Sequence, residues 1–168
     1  MNKDRDRQPE PHTIEQVASI AKDNTLRDGY HVPMVLADGS INQAAIQIAE
    51  PGKTSEERQY QMFQAGFLLS QENSIGLLQQ VFFVSEGWMS AGTTEQAPIT
   101  PPSQDPNRKE ILLVASLNVL TGQNEALVME IKRDPEGKLV ELTDREKGIQ
   151  CESPLLDAFV AGFATGLI

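Results

Sequence analysis

Val81-Phe82-Phe83-Val84 is apolar at four consecutive positions and runs on through Ser85-Glu86-Gly87-Trp88. A strand with one wet face alternates apolar and polar residues. A strand that does not alternate is buried on both faces, so this segment reads as central in a sheet. Lys109 to Asn118, with Ile111-Leu112-Leu113-Val114-Ala115 in its middle, reads as another such strand. Between the two lies Ser90 to Asn107, rich in Thr, Gln and Pro, with Pro98, Pro101, Pro102 and Pro106. Connections of that length without structure of their own are as a rule functional or disordered.

Toward the C-terminus, Gly122-Gln123-Asn124 turns the chain. Leu127, Met129 and Ile131 then alternate with Val128, Glu130 and Lys132, the pattern of a half-wet strand. Asp134-Pro135-Glu136-Gly137 is a hairpin turn, with Pro pre-set for its second position and Gly for a left-handed one. Lys138 to Thr143 is the returning strand. Ser153-Pro154 opens a last helix, Ser as N-cap and Pro in the first turn. Leu155, Leu156, Phe159, Val160, Phe163 and Leu167 share one arc of it, and Gly162 and Gly166 read as packing glycines.

Toward the N-terminus, Thr13 and Gln16 form a capping box for a helix whose inner face is Ile14, Val17, Ala18 and Ala21. Asp28-Gly29 ends it. Tyr30 to Ala37 reads as a strand, and Pro33 inside it predicts a sheet edge or one-sided pairing, because Pro donates no N–H. After the Asp38-Gly39 turn signal, a further strand covers Ala44 to Ala49, and Glu50-Pro51-Gly52 breaks the chain. Thr54 and Glu57 cap a second helix with Tyr60, Met62, Phe63, Gly66, Phe67 and Leu69 on its apolar face. Glu57, Gln61 and Gln64 are its wet face, and Leu68 points away from the apolar one. The expected order is αββαββββα: an α+β domain over residues 13–168, with three helices on a mixed, mainly antiparallel sheet of about five or six strands. Residues 1–12 read as a flexible tail.

The chain has 168 residues, the size of one domain, and 39% of them are hydrophobic, enough for a core. Cys151 is the single cysteine and forms no internal disulfide, which fits a reducing compartment. Met1 to Arg7 lacks the apolar stretch of a secretory signal. The longest apolar run, Ile111 to Ala115, is far short of the roughly 20 residues that span a bilayer. The expectation is a cytoplasmic protein without a membrane partner. A net charge of −10, with no clustering of basic residues, argues against a nucleic-acid partner.

The motifs narrow the chemistry. His12 and His31 have no partner at zinc-site spacing, so no metal and no cofactor is expected. No phosphate-binding glycine loop and no Gly-x-Ser-x-Gly elbow is present. Cys151 sits near the start of the last helix but lacks a local histidine, and reads as an unreactive loop cysteine. Glu130-Ile131-Lys132, with Asp105 upstream, has the pattern of a metal-dependent nuclease. A hairpin rather than a helix follows it, and alternating charge on a wet strand face explains Glu130 and Lys132 equally well. The candidate site is instead geometric. If strands 81–88 and 109–118 are antiparallel neighbours, Glu86 and Trp88 meet Arg108 and Glu110 at one rim, with Asp105 above. That corner either binds a small ligand or pins the loop through an Arg108 ion pair to Glu86 or Asp105.

Glu86-x-Trp88-Met89, the Pro-rich stretch, and Asp105-Pro106-x-Arg108-x-Glu110 resemble a string found in a group of bacterial and phage-encoded proteins of unassigned activity. The resemblance implies a bacterial or phage origin and carries over no catalytic residue. The reading that follows is a non-enzymatic interaction or assembly module. A small-ligand-binding or hydrolytic protein using Glu86, Trp88 and Arg108 is the second reading, and a nuclease using Asp105, Glu130 and Lys132 the third. The last helix carries Ala158, Ala161, Ala164 and Thr165 opposite its apolar arc, where a solvated helix would carry several charges. Small residues admit another backbone, so a homodimer through this helix is expected.

Overall fold

The computed structural model describes residues 9–89, 108–149 and 153–168. The elements run α1 (Ile14–Asp28), β1 (Met34–Gly39), β2 (Gln43–Gln47), α2 (Ser55–Glu72), β3 (Leu78–Met89), β4 (Lys109–Asn118), β5 (Asn124–Arg133), β6 (Leu139–Ile149) and α3 (Pro154–Gly166). The six strands form one sheet in the order β2-β1-β3-β4-β5-β6. Every pairing is antiparallel. This is the α+β order read from the sequence, with β3 at the centre as its unbroken apolar run requires.

The helices form a layer on each face of the sheet. Ile14, Val17, Ala18 and Ala21 of α1 pack on Phe82, Val84, Leu112, Val114, Leu127, Met129 and Leu142. On the other face, Met62 and Leu69 of α2 and Leu156, Phe159 and Phe163 of α3 cover Val35, Ala37, Val81, Ala115 and Leu117. Phe82 and Val81 thus feed opposite cores from adjacent positions. Both predicted capping boxes form, at Thr13/Gln16 and Thr54/Glu57, and Ser153 caps α3.

α2 and α3 run in the same direction and touch backbone to backbone. A Cβ added at Gly66 would lie 2.1 Å from the Phe159 carbonyl oxygen, and one at Gly162 would lie 1.9 Å from that of Phe63. One at Gly166 would lie 1.7 Å from the Ser70 hydroxyl. The packing glycines of the sequence are therefore used within the chain.

Several local expectations change. β1 is not an edge strand: it pairs with both β2 and β3. Pro33 causes no break because it sits just before the ladder, where its carbonyl accepts from the Ile48 N–H at 2.8 Å and no donor is needed. β6 runs to Ile149, well past Thr143. Tyr60 is 62% exposed and leaves the apolar face of α2.

Of the tail at 1–12, residues 1–8 lie outside the described residues, and the end of the tail is tied to the sheet. Asp38, only 1% exposed, accepts from the His12 backbone N–H and faces the His12 ring Nδ1, both at 2.7 Å. Gln80 donates to the His12 carbonyl at 2.6 Å, and the His12 ring meets Phe82 edge-on. Asp38 is thus a buried anchor for the chain entering α1, not a solvated turn residue.

Two outcomes test this packing. Gly162→Ala gains about 1 kcal/mol of helix propensity but has no room for its methyl group. We expect a net loss of about 2 kcal/mol or more, measured by urea denaturation; a neutral result would show that α2 and α3 separate freely. His12→Ala should cost about 2 kcal/mol, because it strips the imidazole partner from a buried carboxylate while the backbone N–H bond remains, and the cost should shrink when Asp38 is also changed to Ala. An additive double variant would mean the two residues act separately.

Candidate functional site at the rim of strands β3 and β4

β3 and β4 are antiparallel neighbours in the register the site requires, with Trp88 opposite Glu110 and Met89 opposite Lys109. Even-numbered residues of both strands face the α1 side, as Phe82, Val84, Leu112 and Val114 do. That parity sends Glu86, Trp88 and Glu110 out past the C-terminal end of α1. Asp105 and the connection at 90–107 lie outside the described residues, as does Cys151.

The structure divides these residues rather than converging them. Arg108 lies over the Trp88 ring, its guanidinium carbon 4.4 Å from the ring centroid. Among the described residues Arg108 forms no ion pair with Glu86. Glu86 accepts from the His31 backbone N–H at 2.9 Å and so holds the segment between α1 and β1. The His31 ring Nδ1 is satisfied by the Val32 carbonyl oxygen at 2.7 Å.

Glu110 is taken by Arg133, a residue not singled out in the sequence. The guanidinium donates from Nε at 2.9 Å and 3.1 Å and from a terminal nitrogen at 2.8 Å. It also donates to the Gly29 carbonyl at 3.2 Å, just past the C-terminus of α1, where the helix dipole favours a cation. The hydrogen bonds to Glu110 raise the Arg133 pKa above its ordinary value, against burial, with the charge of Glu86 adding to the rise. A signal for Arg133 existed: the inward positions Leu127, Met129 and Ile131 continue by twos to 133.

Glu130 and Lys132 lie on the opposite face, beyond the buried Ala126 and Val128 of the same strand. Glu130 bonds Arg145 at 2.9 Å and lies 3.7 Å from Lys109. Glu130 is thus a carboxylate shared by two cations. Among the described residues no three His, Cys, Asp or Glu side chains converge as a metal site, and no helix is long and apolar enough to cross a membrane.

Glu86 also borders a cavity of about 300 Å³ on the α2 side, walled by Pro33, Ile48, Met62, Phe83 and Leu155 with Arg58 and Gln61 at its polar end. Arg58 already donates to the carbonyls of Gly52 and Lys53 at 3.1 Å and 3.2 Å. Gln61 accepts from the Gly52 N–H and donates to the Glu50 carbonyl. These polar groups brace the turn before α2. On α3, Ala158 packs partly buried against the helical-layer core, whereas Ala161, Ala164 and Thr165 are exposed.

The two arginines at the rim should behave differently. Glu110→Gln and Arg133→Met should each cost about 2 kcal/mol, with a coupling of similar size in the double variant. Arg108→Ala should cost about 0.5 kcal/mol, the scale of an exposed cation–π contact. Urea denaturation measures all three, and equal costs for Arg108 and Arg133 would contradict the assignment.

Comparison with family models, with curated proteins and with solved structures finds no match to this chain.

Proposed function

We propose that this chain is a non-enzymatic interaction module that assembles with copies of itself. The observation that carries the reading is a group of exposed apolar side chains beside α3, on a chain whose net charge is −10. One depression beside α3 is bordered by Leu77, Leu120, Val160, Phe163, Ala164 and Leu167. Leu77, Leu120 and Leu167 are 64%, 74% and 51% exposed. A second lies between α2 and β2. Surfaces of this kind, rimmed by polar residues, mark contact sites between proteins. The acids and bases of the rim support the same reading, because Glu110, Glu86 and Glu130 are engaged by Arg133, His31 and Arg145. The cavity beside Glu86 favours a ligand less, since Arg58 and Gln61 are engaged by backbone. The resemblance around residues 86–110 adds a bacterial or phage source.

One contact for a second copy is the side of α3 that bears Ala161, Ala164 and Thr165. Sedimentation equilibrium at tens of micromolar should give a mass above that of one chain. A monomer across that range would overturn the reading. Loss of association on changing Ala161 and Ala164 to Glu, with the fold intact by circular dichroism, would place a contact on α3.

A further inference from the structure

The two edges of the sheet are built differently. β6 carries Asp144, Arg145, Glu146 and Lys147 in succession, and its pairing with β5 slips register three times. Charges and bulges are the usual defences of an exposed edge against pairing with another strand. β2, the other edge, has the sequence Gln43-Ala44-Ala45-Ile46-Gln47, with no charge, no proline and no register shift against β1. Among the described residues its defence is its shortness, five residues.

Which backbone groups of β2 are open follows from one hydrogen bond. Ile48 donates to Pro33, in register with the β1–β2 ladder. Bonding alternates along an antiparallel strand, so Ala44 and Ile46 also bond inward. Gln43, Ala45 and Gln47 therefore turn N–H and C=O outward. The Gln43 N–H agrees, since its acceptor is the Asn42 side chain and not β1. Beside this edge runs the cleft between β2 and α2, walled by Ala44, Ile46, Ile48, Ala65 and Leu69, with Gln61, Gln64 and Glu72 of α2 as its polar members. Leu68, 61% exposed, forms its lip. This is the side chain that points away from the apolar face of its own helix.

We propose that β2 is a self-pairing edge, and that two copies of this chain join β2 to β2 antiparallel about a twofold axis at Ala45. The inference rests on the self-assembly reading above and places its contact at β2 in preference to α3. The register is self-consistent. A twofold at Ala45 sets Ala45 opposite its twin and Gln43 opposite Gln47 of the other copy, so each outward-facing residue meets another outward-facing one. The Gln43 carboxamide nitrogen already donates to the Glu10 carbonyl at 3.0 Å, and its oxygen can accept from the Gln47 carboxamide of the other copy, a pairing without charge. Charge selects the occupant: an isologous contact brings like residues together, and on an acidic chain only an uncharged edge escapes repulsion from its twin. The same axis keeps both α2 helices on one face and turns the two Leu68 side chains toward each other across the cleft.

The test uses the full chain and sedimentation equilibrium, with circular dichroism and thermal melting to confirm folding. Ala45→Lys and Ala45→Glu should each weaken self-association at least about tenfold, because like charges meet at the axis. Mixing the two variants should restore a dimer, seen as a mixed species by native mass spectrometry. Ala45→Pro removes an outward N–H that β1 does not use, and should give a folded monomer. Association undiminished in Ala45→Lys and Ala45→Pro, or abolished only by the Ala161/Ala164 changes, would overturn β2 pairing while leaving the self-assembly reading standing. A wild-type monomer at tens of micromolar would sink both.

Discussion

The contact on which most of this architecture depends is the backbone approach of α2 to α3 at Gly66, Gly162 and Gly166. Because no side chain separates the two helices there, they form a narrow layer. That layer seals β1, β3 and β4 and stops. On one side it leaves the far half of β5 open, where Glu130 and Lys132 follow the buried Ala126 and Val128 on the same face. On the other side it leaves the cleft against β2. The wet face of one strand and the apolar cleft beside another share a cause in the width of a helix pair. Larger residues at the glycine positions would spread the layer and alter both margins.

The α1 face is organised by a different constraint. One helix covers the middle of the sheet, and its ends are secured by charge. At its start, Asp38 is buried under His12 and Gln80. At its end, Arg133 bridges Glu110 to the Gly29 carbonyl. A buried carboxylate or guanidinium is costly unless its hydrogen bonds are met, so these partners are fixed in place. Each is a clamp between distant segments, and among the described residues the rim acids Glu110 and Glu86 are both engaged, by Arg133 and by the His31 N–H.

The parts of this fold that were legible in the sequence are those encoded locally. Thr13/Gln16, Thr54/Glu57 and Ser153-Pro154 announce helix starts through chemistry within four residues. Asp134 to Gly137 announces its turn, and the unbroken run at 81–84 announces the central strand. The β3–β4 register followed from connectivity, and with it the meeting of Trp88 and Arg108. Long-range pairings were not legible. Nothing near His12 indicates that Asp38 will bury beneath it, and nothing near Glu110 names Arg133 on the neighbouring strand. Pro33 misled because its cost depends on which side of the first ladder bond it falls. The second half of β6 was hidden because an edge strand in water needs no apolar alternation.

The position of α1 in the chain has a consequence for how the protein is made. Ile14, Val17, Ala18 and Ala21 leave the ribosome more than 100 residues ahead of their partners Leu127, Met129 and Leu142. Until those strands emerge, the helix has only part of its binding face, and short helices hold poorly in water alone. α3, which seals the opposite core, comes later still. Most of the stabilising contacts join segments far apart in sequence, a topology that folds slowly and leaves apolar surface exposed during synthesis. The nascent chain therefore passes through a long interval in which an apolar helix face and an undefended strand edge coexist without cover, and that interval is where chaperone engagement and aggregation compete.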